Sequence, residues 1–336
     1  MRWLSDGAIE RLRAVGTEID LSSTKYRLVE AIGRGGMGTV YRVEDPTLGR
    51  QVALKVLDAP DRDGELAARL VQEARVLARL EHPGIVPVYD VGELPDGRVF
   101  YTMQLVRGDR LDRWARSGVS LPQRLFLFRR LCEAVGFAHA HRVLHRDLKP
   151  ANIMVGAFGE VLVMDWGVAK ILPQRDEPPS EHAHADAVAD TLNVRAPGVA
   201  PTTQHGAILG TPGYMAPEQA RGEVASLDER ADVHALGAVL GWLVEPGPES
   251  AGRPAAPRAL RAVVRKAMHF DPRERYATAR ELANEIDRFL AGRPVSAHPD
   301  NVFTGAGRFL WRHRVAVILL LAYAVVRAVV LVSRRS

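Results

Sequence analysis

The sequence is poor in the residues that mark small secreted scaffolds. Its 336 residues include one cysteine, Cys132. A lone cysteine cannot close an internal disulfide, so the folded part is expected to work in reducing cytosol. The first fourteen residues carry Arg2, Asp6, Glu10, Arg11 and Arg13 with no apolar core between them, which argues against a signal peptide. Aromatic residues make up only 6%, yet 47% of the chain is hydrophobic and 25% charged. That balance excludes disorder throughout and collagen, and the length leaves room for one large domain or two modest ones. No internal repeat is visible.

Acidic residues are missing from one end. Beyond position 300 there are six arginines (308, 312, 314, 327, 334 and 335) and no Asp or Glu, so residues 1–300 carry 39 basic against 40 acidic residues, a sum of −1. The net charge of +5 therefore belongs to the tail, and a nucleic-acid partner loses its main warrant. Long apolar runs are also scarce. The longest, VAVILLLAYAVVRAVVLV from Val315 to Val332, is 18 residues and is interrupted by Arg327, at the short end of what spans a bilayer. Twelve Val, Ile or Leu residues at about −0.4 kcal/mol each outweigh roughly +3 kcal/mol for a central arginine. Arg327 is off-centre and can snorkel. Trp311, Arg312, Arg314, Arg334 and Arg335 look like interface anchors. The expectation is one C-terminal transmembrane helix over 315–332, with a buried C-terminal helix as the alternative.

From Tyr26 to about Val106 the pattern is strand-rich: GTVYRV, QVALKVL, IVPVYDV and RVFYTM, separated by turn signals such as PDG. One helix interrupts it. In ELAARLVQEARVLARL, Leu66, Leu70, Leu77 and Leu80 share a face with Glu73. A carboxylate inside an apolar stripe needs a partner, and the pattern alone leaves open whether Glu73 has one or sits at the edge in water. From Leu111 to about Leu290 helical patterns dominate, for instance PQRLFLFRRLCEAVGFAHAH and ARELANEIDRFLAG. Residues 173–206 hold five prolines and no apolar periodicity, and read as a long loop. A β-rich lobe followed by a larger helical lobe is the coarse organisation.

Between two strand patterns lies Ile32-Gly33-Arg34-Gly35-Gly36-Met37-Gly38-Thr39-Val40. Its glycines let backbone N–H groups approach phosphate oxygens, although a tight hairpin explains the pattern equally well. A strand follows it where a dinucleotide-binding fingerprint demands a helix. Seventeen residues after Gly38, Val52-Ala53-Leu54-Lys55 places an ammonium on the adjoining strand. Further on come His145-Arg146-Asp147-Leu148-Lys149-Pro150-Ala151-Asn152, then Asp165-Trp166-Gly167, then Gly210-Thr211-Pro212-Gly213-Tyr214-Met215-Ala216-Pro217-Glu218.

With these blocks in this order the chain resembles the protein kinase superfamily, and most closely the bacterial eukaryotic-like serine/threonine kinases. The resemblance implies an α+β fold, a bilobal kinase domain over 26–291 with a β-rich N-lobe containing one helix (26–106) and a mainly helical C-lobe (107–291). Residues 1–25 would be an N-terminal extension and 292–314 a juxtamembrane linker. ATP and Mg²⁺ or Mn²⁺ would be the cofactors. Lys55 would hold the α- and β-phosphates and pair with Glu73. Asp147 would accept the substrate hydroxyl proton, Lys149 would contact the γ-phosphate, and Asn152 and Asp165 would hold the metal. Residues 32–40, Ala53, Gln104 C=O, Val106 N–H and Met154 would surround the nucleotide, with Met103 as gatekeeper. Asp232 would cap the catalytic-loop backbone, Glu218 and Arg275 would form a buried ion pair, and Thr211 would bond Asp147 and Lys149.

Three features depart from the family pattern. DWG stands where most members have DFG, 53 residues separate Asp165 from Glu218, and LVEPGPESAGRPAAPRAL leaves little room for the docking helix that many relatives carry there. His139, His141 and His145 are not expected to bind metal, and His182 and His184 are expected to be solvated. The sequence thus points to a membrane-anchored kinase acting on protein Ser and Thr, with its catalytic domain in the cytoplasm and its tail in lipid. Self-association would support phosphorylation in trans, at Thr202 and Thr203 above all. A pseudokinase scaffold is the alternative, and it would be free to lose the five catalytic positions that are all filled here.

Overall fold

The computed structural model describes residues 19–35, 38–61, 64–116, 118–172, 211, 213–223, 226–245, 256–298 and Tyr323. The first lobe is a five-stranded antiparallel sheet in the order β1 (Arg27–Arg34), β2 (Gly38–Asp45), β3 (Arg50–Leu57), β5 (Val99–Gln104), β4 (Val88–Glu93), with helix α1 (Glu65–Ala78) between β3 and β4. Strand periodicity splits β3 between two apolar clusters. Val52, Leu54 and Val56 join Ile19, Leu21, Tyr26 and Phe100, whereas Ala53 and Leu57 join Leu70, Ala74 and Leu77 of α1. Lys55 therefore shares the face that meets α1. On β5 the same parity sends Phe100 to the first cluster and Tyr101 and Met103 to the second.

Two details differ from the sequence reading. The apolar run IVPVYDV joins the five-stranded sheet only from Val88 onward, while Ile85 makes an isolated parallel bridge with Val163. Pro87 has no N–H for a ladder, and it contributes its carbonyl instead, which accepts from Gln104 N at 3.1 Å. On α1, Leu66 is 39% exposed, while Leu70, Glu73 and Leu77 are buried together with Ala74 and Val76. The buried stripe is thus set one turn further along the helix, and Glu73 lies within it.

The second lobe opens with β6 (Gly108–Arg110) and the short α2 (Leu111–Trp114) and continues into α3 (Leu121–Ala140), started by a capping box between Ser120 and Gln123. Cys132 lies midway along α3, fully buried, and burial pushes its thiol pKa well up. Strands β7 (Val143–Leu144) and β10 (Lys170–Ile171) pair, and β8 (Ile153–Gly156) is hydrogen-bonded between β6 and β9 (Val161–Val163). Helices α4 (Pro217–Ala220), α5 (Glu229–Val244), α6 (Arg258–Ala267) and α7 (Ala279–Leu290) complete the lobe. Thirteen of the sixteen residues of α5 are buried, so this helix is the post to which the loops of the site are tied. Among the described residues no helix is long and apolar enough to cross a membrane. The run 315–332 lies outside them apart from Tyr323, which is helical and exposed.

Candidate active site

In the first lobe the glycine loop closes through Gly35 N donating to Gly38 O at 2.8 Å, with Gly33 opposite Val40 and Arg34 opposite Thr39. Gly36 and Met37 lie outside the described residues. Gly38 has a reason of its own, because a Cβ there would collide with the Val56 carbonyl across the β2–β3 ladder, whereas Gly33 has open space around it. Asp58, just past β3, holds both flanks of the loop: Thr39 Oγ1 donates to it at 2.6 Å and Arg34 Nε at 3.1 Å.

Beneath the loop, Lys55 Nζ donates to both oxygens of Glu73, each at 2.8 Å. The carboxylate is buried and the ammonium nearly so. The alternative that placed Glu73 in water is excluded. Lys55 Nζ also lies 3.6 Å from Asp165 Oδ1, a carboxylate of the second lobe that is 48% exposed and held in left-handed backbone at φ 59°. Ala53 faces Met103 in the β3–β5 ladder and both are buried. Ile32 and Gln104 are exposed, and Val40, Val106 and Met154 are half-buried against the main core.

In the second lobe Asp147 is the hub. Its Oδ2 accepts from Lys149 Nζ at 2.6 Å and from Asn152 Nδ2 at 3.1 Å, and its Oδ1 accepts from Thr211 Oγ1 at 3.0 Å. Lys149 Nζ also donates to Thr211 Oγ1 at 2.7 Å. Asn152 Nδ2 donates further to the Asp147 carbonyl at 2.9 Å. Both of its neighbours are acceptors, so the amide nitrogen faces them and Oδ1 is turned away. That leaves an amide oxygen and the Asp165 carboxylate as hard donors. Such a small set suits a divalent cation that takes its remaining oxygens from phosphates and water. Among the described residues no group of three or more His, Cys, Asp and Glu gathers to form a closed metal cage.

The hub is fastened from behind. Asp232, near the start of α5, accepts from His145 N on Oδ2 and Arg146 N on Oδ1, both at 2.8 Å, and its Oδ2 also meets His139 Nε2 at 2.8 Å. Burial pushes the Asp232 pKa up, but the His139 contact and the backbone N–H groups outweigh it and hold the carboxyl below its usual range. His145 Nε2 donates to Met164 O at 2.9 Å and its Nδ1 accepts from Asp147 N at 3.2 Å, which fixes a neutral tautomer. Trp166 is buried, with its ring centroid 4.6 Å from that of His145, and donates Nε1–H to Val163 O at 3.3 Å. It fills the site of the departure from DFG as a large apolar residue with its polar atom satisfied. Arg146 is buried beside the hub with Nε unpartnered among the described residues, and burial pulls its pKa down. Glu218 and Arg275 form a bidentate ion pair at 2.6 and 2.8 Å.

Several contributors escaped the sequence reading. Tyr101 donates its hydroxyl to Glu73 Oε1 at 3.0 Å. Asp58 ties the glycine loop, and Gln219 donates Nε2–H to the Arg146 carbonyl at 2.7 Å. Tyr101 and Asp58 belong to no block whose spacing is readable, whereas Gln219 directly follows Glu218 in GTPGYMAPEQ and only its partner, the Arg146 carbonyl 73 positions earlier, could not be read from the sequence. Thr202 and Thr203 lie outside the described residues.

The protein kinase domain family matches residues 26–292. The chain is 34% identical over 331 residues to the serine/threonine-protein kinase PknD of Chlamydia caviae, covering 88% of this chain and 34% of that protein. It is 30% identical over 319 residues to the PknD of Protochlamydia amoebophila, covering 82% and 31%. The chain thus spans about a third of the length of these curated relatives. Among solved structures, the kinase domain of PknI from M. tuberculosis superposes with a TM-score of 0.54 at 27% identity, over 80% of this chain and 96% of that one.

Proposed function

The chain belongs to the protein kinase family, and from that membership we propose that it transfers the γ-phosphoryl group of ATP to Ser and Thr hydroxyls of proteins. Members of this family use ATP with a divalent metal. The observation that supports the reading best is the meeting of Lys55 Nζ with Asp165 across the two lobes, 3.6 Å apart, while Glu73 holds the same ammonium. A cation and a metal-binding carboxylate are thereby brought to one place on either side of the phosphate path.

Asp147 is placed to orient an incoming hydroxyl and take its proton, with an ammonium on one oxygen and a hydroxyl on the other. Lys149 offers positive charge to the transferred group, and Lys55 to the phosphates left behind. Asn152 and Asp165 would hold Mg²⁺ or Mn²⁺, which when bound neutralises charge on the phosphates. Thr211, bonded to both Asp147 and Lys149, narrows the space beside the acceptor and favours Ser and Thr. A pseudokinase scaffold is not favoured, since all five catalytic positions keep functional residue types.

Phosphate on Thr202 or Thr203 would find a buried cation with a spare donor in Arg146. The run 315–332 would anchor the domain to lipid in the plane of the membrane, with the catalytic domain in the cytoplasm where ATP is, and confinement there would favour transfer between copies.

The test is to incubate the full chain with labelled ATP, with and without Mg²⁺ or Mn²⁺, beside Lys55→Met, and to map phosphosites by mass spectrometry. Incorporation that needs both the ion and Lys55 supports the reading; nucleotide binding with no transfer to the chain or to a general Ser/Thr substrate would indicate the scaffold. Retention of the wild type and of Arg327→Leu in the pellet after an alkaline carbonate wash tests the anchor, and full release of the wild type excludes it.

A further inference from the structure

The Lys55–Glu73 pair has a third member. Lys55 and Tyr101 face each other in the β3–β5 ladder, on the face that meets α1. Both side chains converge on one carboxylate carried by that helix. Lys55 Nζ takes both oxygens at 2.8 Å, and Tyr101 Oη donates to Oε1 at 3.0 Å from a position that is 2% exposed. The Tyr101 ring lies 5.8 Å from Lys55 Nζ, adding a weak cation–π contact. Lys55 has a competing carboxylate in Asp165, and Tyr101 does not reach it in any contact among the described residues. If α1 moved outward, Lys55 could turn to Asp165, but the Tyr101 hydroxyl would lose its Glu73 acceptor.

We propose that Tyr101 is a positioning residue that latches α1 to strand β5 through Glu73, so that Lys55 is delivered to the phosphates rather than to Asp165. The latch makes no contact with nucleotide. It acts on the population of the arrangement in which the pair is closed. This deepens the kinase reading above and rests on it, although its structural half can be tested separately.

The experiment compares the full chain with Tyr101→Phe, which deletes one oxygen and leaves the ring to pack. In steady-state transfer to a peptide, kcat should fall about tenfold, the worth of one hydrogen bond to a charged group, while the affinity for adenosine, which has no phosphates, is unchanged. Amide hydrogen exchange should rise in 65–78 and stay as in the wild type in 121–140. Glu73→Ala, which removes the acceptor altogether, and the double variant complete a cycle: once the carboxylate is gone, adding Tyr101→Phe should have little further effect on exchange in α1. Equal losses in both backgrounds, or wild-type kcat and exchange in Tyr101→Phe, would overturn the latch. If the wild type transfers no phosphate, the kinase reading fails, and the exchange cycle still decides the latch by itself.

Discussion

The two halves of the site are held by different kinds of tie. In the second lobe the Asp147 loop hangs on groups that are themselves fixed: Asp232 on the buried α5 grips two backbone N–H groups, Gln219 grips the Arg146 carbonyl, and His145 grips Met164. In the first lobe Lys55 depends on a single carboxylate carried by α1, and the glycine loop depends on the exposed residue Asp58. The ties of the second lobe form as its core forms. Those of the first lobe hold the glycine loop and α1, for which we expect local opening to cost less than opening of the second lobe. Loss of a second-lobe tie should therefore register as lost stability, and loss of a first-lobe tie as altered kinetics.

The largest effect expected from this contrast is at Arg275. Arg275→Met leaves Glu218 buried and unpaired, which costs about 3 to 5 kcal/mol and lowers Tm by roughly 10 °C. Calorimetry should show the drop while KM for ATP, measured in the cold, stays as in the wild type; an unchanged Tm would break the comparison. Next comes Asp147→Asn, which alters the reacting group and not its support. Phosphate incorporation should fall on the order of a thousandfold, with nucleotide affinity and Tm unmoved. Wild-type incorporation in this variant would mean that the assigned mechanism is wrong.

Asp58→Ala sharpens the first-lobe side. It frees Thr39 and Arg34 from their shared acceptor, and KM for ATP should rise about fivefold, the equivalent of one modest hydrogen bond. A fall in Tm with KM unchanged would reverse the assignment. The smallest effect is a pH dependence of the second lobe. His234 on α5 is buried, and burial and the nearby Arg275 hold its pKa below the ordinary value, against opposing contributions from Glu218 and the Tyr214 backbone. An unfolded imidazole near 6.5 gains its proton first. The contribution of His234 to stability is therefore complete above pH about 6.5 and declines as pH falls below that. Urea midpoints taken across this range should converge between wild type and His234→Asn as the pH is lowered; parallel curves would discount the group.

The parts of the site that were legible in the sequence are those whose chemistry demands a residue type at a fixed distance along the chain. Asp147, Lys149 and Asn152 lie within six positions, and the structure gathers them on one carboxylate. The need of Glu73 for a partner was legible from its place in an apolar stripe, whereas the identity of that partner came from the family resemblance. Tyr101 and Asp58 were illegible for a physical reason. Their partners are 28 and 19 residues away and meet them only through strand register and the packing of α1, and neither residue type stands out in a strand or a turn. The start of β4 was misplaced because an apolar run was read through Pro87, which cannot donate to a ladder. The outward Leu66 shows the same limit on α1, where periodicity gives a face but not the turn at which burial begins.

The buried Cys132 turns the protein into a clock for its own opening. A thiol at the centre of α3, with its ionisation suppressed, is closed to alkylating reagents while the large core is intact. Because it is the only cysteine in the chain, every labelling event in a reagent excess counts one excursion that exposes that core. Openings confined to α1 or the glycine loop leave the count untouched. ATP that binds only the folded state should slow the clock by the same factor by which it is bound in excess of its dissociation constant.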